Sequence, residues 1–306
     1  MQKAILPQLH GVVVLNKPKG VTSNHCLQEL KHMGQKKIGH AGTLDPLASG
    51  VLLVLLGQAT KLSFYLLREG GKTYRGKLSL GRTTDTWDSE GTLVEEKPWE
   101  GVSPNAVLEG VADWVHLKEQ PVPPYSAAKK DGQPLYKLAR KGTIVERTKH
   151  IEIRRAEVLS QSLPLVEFRV ECSSGTYIRS LAHSLGMRLG CGAVLTELVR
   201  EFSYPFGIED AVDLSAILEN PGVLVRTLRP IRTALPSWPS LTVPEPWRDI
   251  VKTGQSIPAS CFTRDVYRDM RTRHAVLMDD ECELALATYE PGEAQWKITR
   301  GLWTNA

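Results

Sequence analysis

GHAGTLDPLASG, residues 39–50, holds glycines at Gly39, Gly42 and Gly50 and one carboxylate, Asp45, set among the apolar Leu44, Pro46 and Leu47. From Gln35 to Gly50 the chain shows neither the period of about 3.6 residues that marks a helix nor the alternation of a strand, so it reads as a loop. A lone aspartate in a loop is by itself more often a turn or cap residue than a reactive one. The reading therefore rests on what surrounds it.

Upstream, residues 12–15 form an apolar run stopped by Lys17, Pro18, Lys19 and Gly20, the pattern of a buried strand ending in a turn. A helix follows: Ser23 is placed to cap it, Cys26, Leu27, Leu30 and Met33 form its apolar stripe, and Gly34 stands where a left-handed C-terminal residue is wanted. Downstream, 51–56 is a second apolar run, and Tyr74, Gly76, Leu78 and Leu80 alternate with Arg75, Lys77 and Ser79 as a half-buried strand does. Val166, Phe168, Val170 and Cys172 repeat that alternation against Glu167, Arg169 and Glu171. Ser103 and Pro104 open a helix with Val107, Val111, Trp114 and Val115 on one face, and Ile178, Leu181, Ala182 and Leu185 mark another. Clean alternation in the strands predicts an α+β fold, a large mostly antiparallel sheet flanked by helices. Pro236, Pro239, Pro244 and Pro246 beside Trp238 predict a stiff, extended linker, dividing the chain into residues 1–236 and 237–306. The second part carries strand candidates at 274–278, 283–288 and 296–299, a small β-rich module.

The 306 residues are 42% hydrophobic and 24% charged, a globular balance that argues against disorder or a fibrous chain. The longest apolar run, 51–56, is too short to span a bilayer, and the opening MQKAILPQLH lacks the apolar stretch of a signal peptide. A cytoplasmic protein without a membrane partner is expected. The cysteines Cys26, Cys172, Cys191, Cys261 and Cys282 are scattered and never spaced as CxxC, which argues against a disulfide framework and against a zinc site. Net charge is only +4, but between Lys129 and Arg155 nine cations (Lys129, Lys130, Lys137, Arg140, Lys141, Arg147, Lys149, Arg154, Arg155) meet three anions (Asp131, Glu146, Glu152). Any one of these lysines is more often a solvated surface charge; the cluster points to phosphates.

The loop 39–50 resembles the catalytic loop of the TruB-type pseudouridine synthases, which modify position 55 in the T loop of tRNA. Four further segments are similar to the same family: LNKPKGVTS (15–23), KTYRGKLSLGRTTDTWDSEG (72–91), PPYSAAKKDGQPLYKLARKG (123–142) and CSSGTYIRSLAHSLG (172–186). Together they cover most of residues 11–210. The resemblance implies the pseudouridine synthase core with a small C-terminal PUA-like RNA-binding module. It implies a reaction in which uracil is detached from ribose, turned and rejoined through carbon, with no metal and no organic cofactor.

The resemblance also assigns roles. Asp45 becomes the nucleophile at the sugar carbon, a part carboxylates take in other enzymes, and Arg179, with Thr176 as a helix cap just before it, becomes its ion-pair partner. Tyr74 is placed against the target uracil, its hydroxyl available for proton transfer. His40 becomes the wedge that fills the stack left by a flipped nucleotide, with Asp88 as its acidic partner. Tyr177, Leu198 and the basic pair Lys129 and Lys130 join the substrate-binding set, and Lys17 and Pro18 buttress the site. Without the resemblance, Arg179 and His40 would read as surface residues and Tyr74 as a core tyrosine. Two positions depart from the family pattern: Asn16 replaces the more usual Asp, and Val199 precedes Arg200 where paired basic residues are usual.

Ordinary glycosidases need a second carboxylate. None stands near Asp45 in the loop, and its apolar neighbours suit an isomerase that excludes water. Three other readings remain: a synthase dependent on guide RNA and protein partners, a non-catalytic RNA chaperone that opens and refolds tRNA, and a nucleoside hydrolase or base glycosylase that frees uracil. The loop ending DPLASG resembles the bacterial stand-alone form, so a monomer acting on the T stem-loop of tRNA without an obligatory protein partner is expected.

Overall fold

The computed structural model describes residues 5–262, 273–280 and 282–303. Its main sheet is built from β1 (Gly11–Lys17), β2 (Ile38–Ala41), β3 (Ala48–Leu56), β4 (Gly71–Leu80), β5 (Ile153–Ser162), β6 (Leu165–Ser173), β7 (Ala193–Ser203) and β8 (Val212–Asp213). The order is β5-β6-β4-β7-β3-β1-β8, with β2 paired to the distal half of β3. Neighbours are antiparallel except at β7/β3 and β1/β8, so the sheet is mixed, with a parallel pair at its centre. The architecture is α+β, as the strand patterns predict.

Sequence pattern follows what each strand buries. Helices α1 (Ser23–His32), α2 (Pro104–Ala112) and α3 (Ile178–Arg188) lie on one face, where Leu30, Val111 and Leu185 pack with Val13, Leu15, Leu52, Val54, Leu78 and Phe168. The opposite face of β1 and β3 is also covered: Val12, Val14, Val51, Leu53 and Leu55 share a cluster with Trp238, Val276, Met278 and Leu286. Strands buried on both faces read as continuous apolar runs, which is why 12–15 and 51–56 do not alternate. On β4, β6 and β7 the second face is solvated and carries the cross-strand pairs Arg75–Glu167, Lys77–Glu197 and Arg169–Glu201.

Three local readings need correction. β2 occupies the start of the stretch read as a loop, and β3 begins at Ala48, leaving only 42–47 between strands; four residues with a glycine among them are too few to display a period. The N-cap of α1 is Thr22, whose Oγ1 accepts from His25 N at 3.0 Å, and this frees Ser23 for another task. The proline-rich stretch is not a free spacer. Pro244 caps α4 (Glu245–Lys252), Pro246 lies in its first turn, and Trp238 is inserted between the two sheets.

The second sheet collects β9 (Ser240–Thr242), β10 (Ile257–Pro258), β11 (His274–Asp279), β12 (Cys282–Glu290) and β13 (Gln295–Gly301) in the order β9-β11-β12-β13-β10. It has a core of its own around Leu241, Val251, Leu277, Ala285 and Trp296. Among the described residues no helix is long and apolar enough to cross a membrane. Trp238 ties the sheets together, stacked on His274 at 4.5 Å and meeting Tyr65 edge-on at 4.9 Å. Trp238→Ala is therefore expected to cost about 3–5 kcal/mol, measured by urea denaturation; a loss under about 0.5 kcal/mol, the size of a surface substitution, would show that this packing contributes nothing.

Candidate active site

One row of residues crosses the sheet side by side: Val170 on β6, Tyr74 on β4, Arg200 on β7, Gly50 on β3 and Lys17 on β1. Gly50 sits at φ +98°, and a β-carbon there would strike the backbone oxygen of Arg200, so only glycine lets β3 and β7 meet at this point. Arg200 is fully buried. Its Nε donates to Val51 O at 2.6 Å and its Nη2 to Gly42 O at 3.0 Å, which fastens one end of the 42–47 loop to the sheet.

The other end is held from β1 and α1. Ser23 Oγ accepts from Leu44 N at 2.9 Å and donates to Leu44 O at 3.1 Å, and Gly20 N donates to Pro46 O at 2.8 Å. Lys17, also fully buried, donates from Nζ to Pro18 O at 2.8 Å and Val21 O at 2.6 Å, so it braces the turn that grips Pro46. Leu44 and Leu47 are sunk in the core and peg the loop on both sides of Asp45. Lys17 and Pro18 thus lie where a buttress is expected. Asn16 is also accounted for: its Nδ2 donates to Asp213 Oδ1 at 2.7 Å, so an amide here serves the β1/β8 pairing.

Arg179 is the second residue of α3, whose N-cap is Tyr177. The expected cap, Thr176, instead donates its hydroxyl to Ser173 O; the end of the helix is held by Gln120, which accepts from Tyr177 N at 2.7 Å and donates to Tyr177 O at 3.0 Å. The Arg179 side chain is 5% exposed and that of Asp45 38%, and Arg179 Nε donates to Asp45 Oδ2 at 2.9 Å. Its remaining nitrogens donate to Thr86 O at 2.9 Å and Tyr125 O at 3.1 Å. Among the described residues no hydrogen bond joins Asp88 to His40. Asp88 accepts from Thr86 Oγ1 and Glu90 N and stands 3.6 Å from Arg179 Nε, because the 86–90 turn folds its carboxylate inward toward the buried guanidinium.

Asp45 opens onto a cleft of about 640 Å³, whose walls include His40, Tyr74, Tyr177 and Leu198. Asp45 is the sole carboxylate among its described lining residues, against the cations Lys72, Arg147 and Lys149. Burial, reinforced by the charges of Arg200 and Lys72, pushes the His40 imidazole below its ordinary pKa, so it is neutral at pH 7, and its buried Nδ1 has no hydrogen-bond partner among the described residues. Burial raises the hydroxyls of Tyr74 and Tyr177 above theirs, with Arg200 pulling Tyr74 the other way. Lys129 and Lys130 lie outside the cleft lining, exposed on a short hairpin with Gln133–Pro134. The residues not anticipated are Ser23 as a loop clamp, Arg200 and Lys72. The last two carried a signal, since each lies two positions from an expected inward residue on a strand, Arg200 after Leu198 and Lys72 before Tyr74.

A model described as TruB family pseudouridylate synthase (N terminal domain) matches residues 30–178. The chain is 52% identical to the tRNA pseudouridine synthase B of Oleidesulfovibrio alaskensis over 307 residues, covering 99% of each protein. It is 42% identical to the protein of the same name from Syntrophotalea carbinolica, covering 94% of each. Among solved structures, a chain of an H/ACA RNP bound to a substrate RNA containing 2'-deoxyuridine superposes with a TM-score of 0.68 at 22% identity, over 96% of this chain and 86% of that one, a likeness of fold. The chain belongs to the TruB family of pseudouridylate synthases, which are isomerases.

Replacing Arg200 by Met strands the carbonyls of Val51 and Gly42, at about 1–3 kcal/mol each, and frees the loop carrying Asp45. The expected outcome is a lower urea midpoint and a fall of about 100-fold in kcat/KM. A wild-type rate in Arg200→Met would show that the clamp does not position the loop.

Proposed function

We propose that this enzyme converts uridine to pseudouridine at position 55 in the T loop of tRNA, flipping the nucleotide into the cleft and using Asp45 as nucleophile. Relatives at 52% and 50% identity over nearly the whole chain bear the name tRNA pseudouridine synthase B, which supports tRNA as the substrate. The observation that carries the chemistry is Asp45 itself: bonded to a buried arginine on one side, open to the cleft on the other, with no second carboxylate among the described residues lining it. Glycoside hydrolysis needs two carboxyl groups, one of them to activate water. A single one fits transfer within a substrate that never leaves.

In this reading the bond from ribose C1′ to N1 breaks while an Asp45 oxygen takes C1′, and Arg179 keeps that carboxylate charged and aimed. The freed uracil turns against Tyr74, between Leu198 and Tyr177, and C5 displaces Asp45 from C1′. The proton on C5 is lost and N1 gains one, so the product is an isomer of the substrate. His40, neutral and flat, suits a wedge that takes the place of the extruded base. The chain acts alone, as a monomer in the cytoplasm, and its second sheet serves as a PUA-like RNA-binding module.

Asp45→Asn keeps size and shape but removes the nucleophile. It is expected to bind unmodified tRNA transcript with wild-type affinity and to release no tritium from uridine labelled at C5; normal release would eliminate Asp45, and free uracil as the main wild-type product would reject the isomerase. Pseudouridine formed only when guide RNA or a protein partner is added would refute the stand-alone reading. For His40→Ala, turnover should fall more on folded tRNA than on a short T-loop fragment, and equal losses on both would count against the wedge.

A further inference from the structure

Lys72 lies two residues before Tyr74 on the same side of β4 and forms part of the cleft wall, 7% exposed. Its Nζ is 2.5 Å from the point where a β-carbon on Gly42 would stand, and Arg200 Nη1 is 3.6 Å from that point. Two cations thus converge on the backbone of the loop that carries Asp45. Across the cleft a β-carbon on Gly175 would collide with Lys149 Nζ, so a third cation overlies the 173–177 turn. Lys72 makes no hydrogen bond and no ion pair with any described residue, unlike Lys17, which is held by two carbonyls. Its ionisable neighbours are Arg200, Lys149 and the thiol of Cys172, which burial raises to about 11, together with the neutral His40. The one carboxylate of the cleft lining, Asp45, is bonded to Arg179.

An ammonium sunk in a cleft wall has lost part of its hydration without a protein hydrogen bond in return among the described residues, and flanking cations deepen the deficit. An anion entering the cleft corrects it while the lysine keeps its proton. The one carboxylate among the described lining residues, Asp45, being bonded to Arg179, the anion is expected to come with the substrate, and an RNA strand brings one at every nucleotide.

We infer that Lys72, with Lys149, forms a subsite for a phosphodiester of the RNA, the one flanking the nucleotide held between Asp45 and Tyr74. The inference rests on the RNA-modifying reading and adds to it a residue that binds the backbone from inside the cleft. The pKa of Lys72 is lowered to about 7, chiefly by burial and then by Arg200. An anion binds the protonated form, so binding takes up a proton and affinity falls as pH rises above about 7.

The test measures affinity for a T-loop RNA fragment by fluorescence anisotropy from pH 6 to 9 over a series of salt concentrations, with wild type, Lys72→Met and Lys149→Met. Methionine fills the same space without charge, so Lys72→Met should fold, as checked by thermal melting. Expected is a loss of about tenfold in affinity at pH 6.5, a flattened pH dependence above pH 7, and a slope of log affinity against log salt smaller by about 0.7 for a single strand. A methylphosphonate at the flanking linkage should weaken wild type but add nothing to Lys72→Met. Wild-type affinity and pH profile in Lys72→Met would overturn the subsite, the more so if kcat alone fell, since Lys72 would then act on a proton of the base. Multiplying effects of the variant and the methylphosphonate would place that phosphate elsewhere and equally refute it. Failure of the wild type to bind the fragment would instead remove the RNA reading beneath it.

Discussion

The 2.9 Å bond from Arg179 to Asp45 joins two parts of the chain that are far apart in sequence, the first turn of α3 and the tip of the 42–47 loop. Arginine is the residue for this task because its guanidinium has donors to spare. Two of its other nitrogens are committed to the carbonyls of Thr86 and Tyr125, so the plane of the guanidinium is set before Asp45 binds it. The helix end is in turn stapled by Gln120 and by Ser180 Oγ donating to Pro121 O at 2.7 Å. Asp45 therefore receives its orientation from buried groups and keeps one side for whatever enters the cleft.

Positive charge is handled unusually throughout this site. Lys17 and Arg200 are fully buried and are met by backbone carbonyls rather than by carboxylates. Carbonyl dipoles satisfy the donors without cancelling the charge, so the cations fix the loop and still leave a positive potential at the cleft. A carboxylate beside Arg200 would have satisfied it equally well and spoiled the site for a polyanion.

The sequence made the architecture legible where burial imposes a period. The alternation of Tyr74 to Leu80 and of Val166 to Cys172 marked strands with one wet face, and the unbroken runs at 12–15 and 51–56 marked strands that the structure covers on both sides. Asp45, Tyr74, His40, Tyr177 and Leu198 do meet at one cleft, and Arg179 backs it. What sequence could not supply was partnership between distant residues. Asp88 was matched to His40, but it lies against Arg179, a choice made by the folding of the 86–90 turn, and Ser23 looked like a cap because nothing local showed that Leu44 would lie across from it. Proline likewise misled: Pro244 and Pro246 start a helix, and Trp238 between the sheets is held by packing that no local pattern reveals.

A carboxylate that must approach one sugar carbon while the base pivots beside it tolerates little error, since a displacement of about 1 Å can cost about 100-fold in rate. Rigidity could have come from regular structure, yet Asp45 stands on a six-residue connection, 42–47, between strands. A loop lets the carboxylate stand clear of the sheet where a nucleotide can reach it, and the precision is then restored by ties from outside: Arg200 on Gly42, Ser23 on Leu44, Gly20 on Pro46 and two leucines driven into the core. These ties come from β7, α1 and the turn after β1, which are separated in sequence but adjacent because β3 pairs with both β1 and β7. Strand order is thus the link between the fold and the reactive group: moving β3 to an edge of the sheet would remove one set of ties and leave Asp45 aimed from one side only.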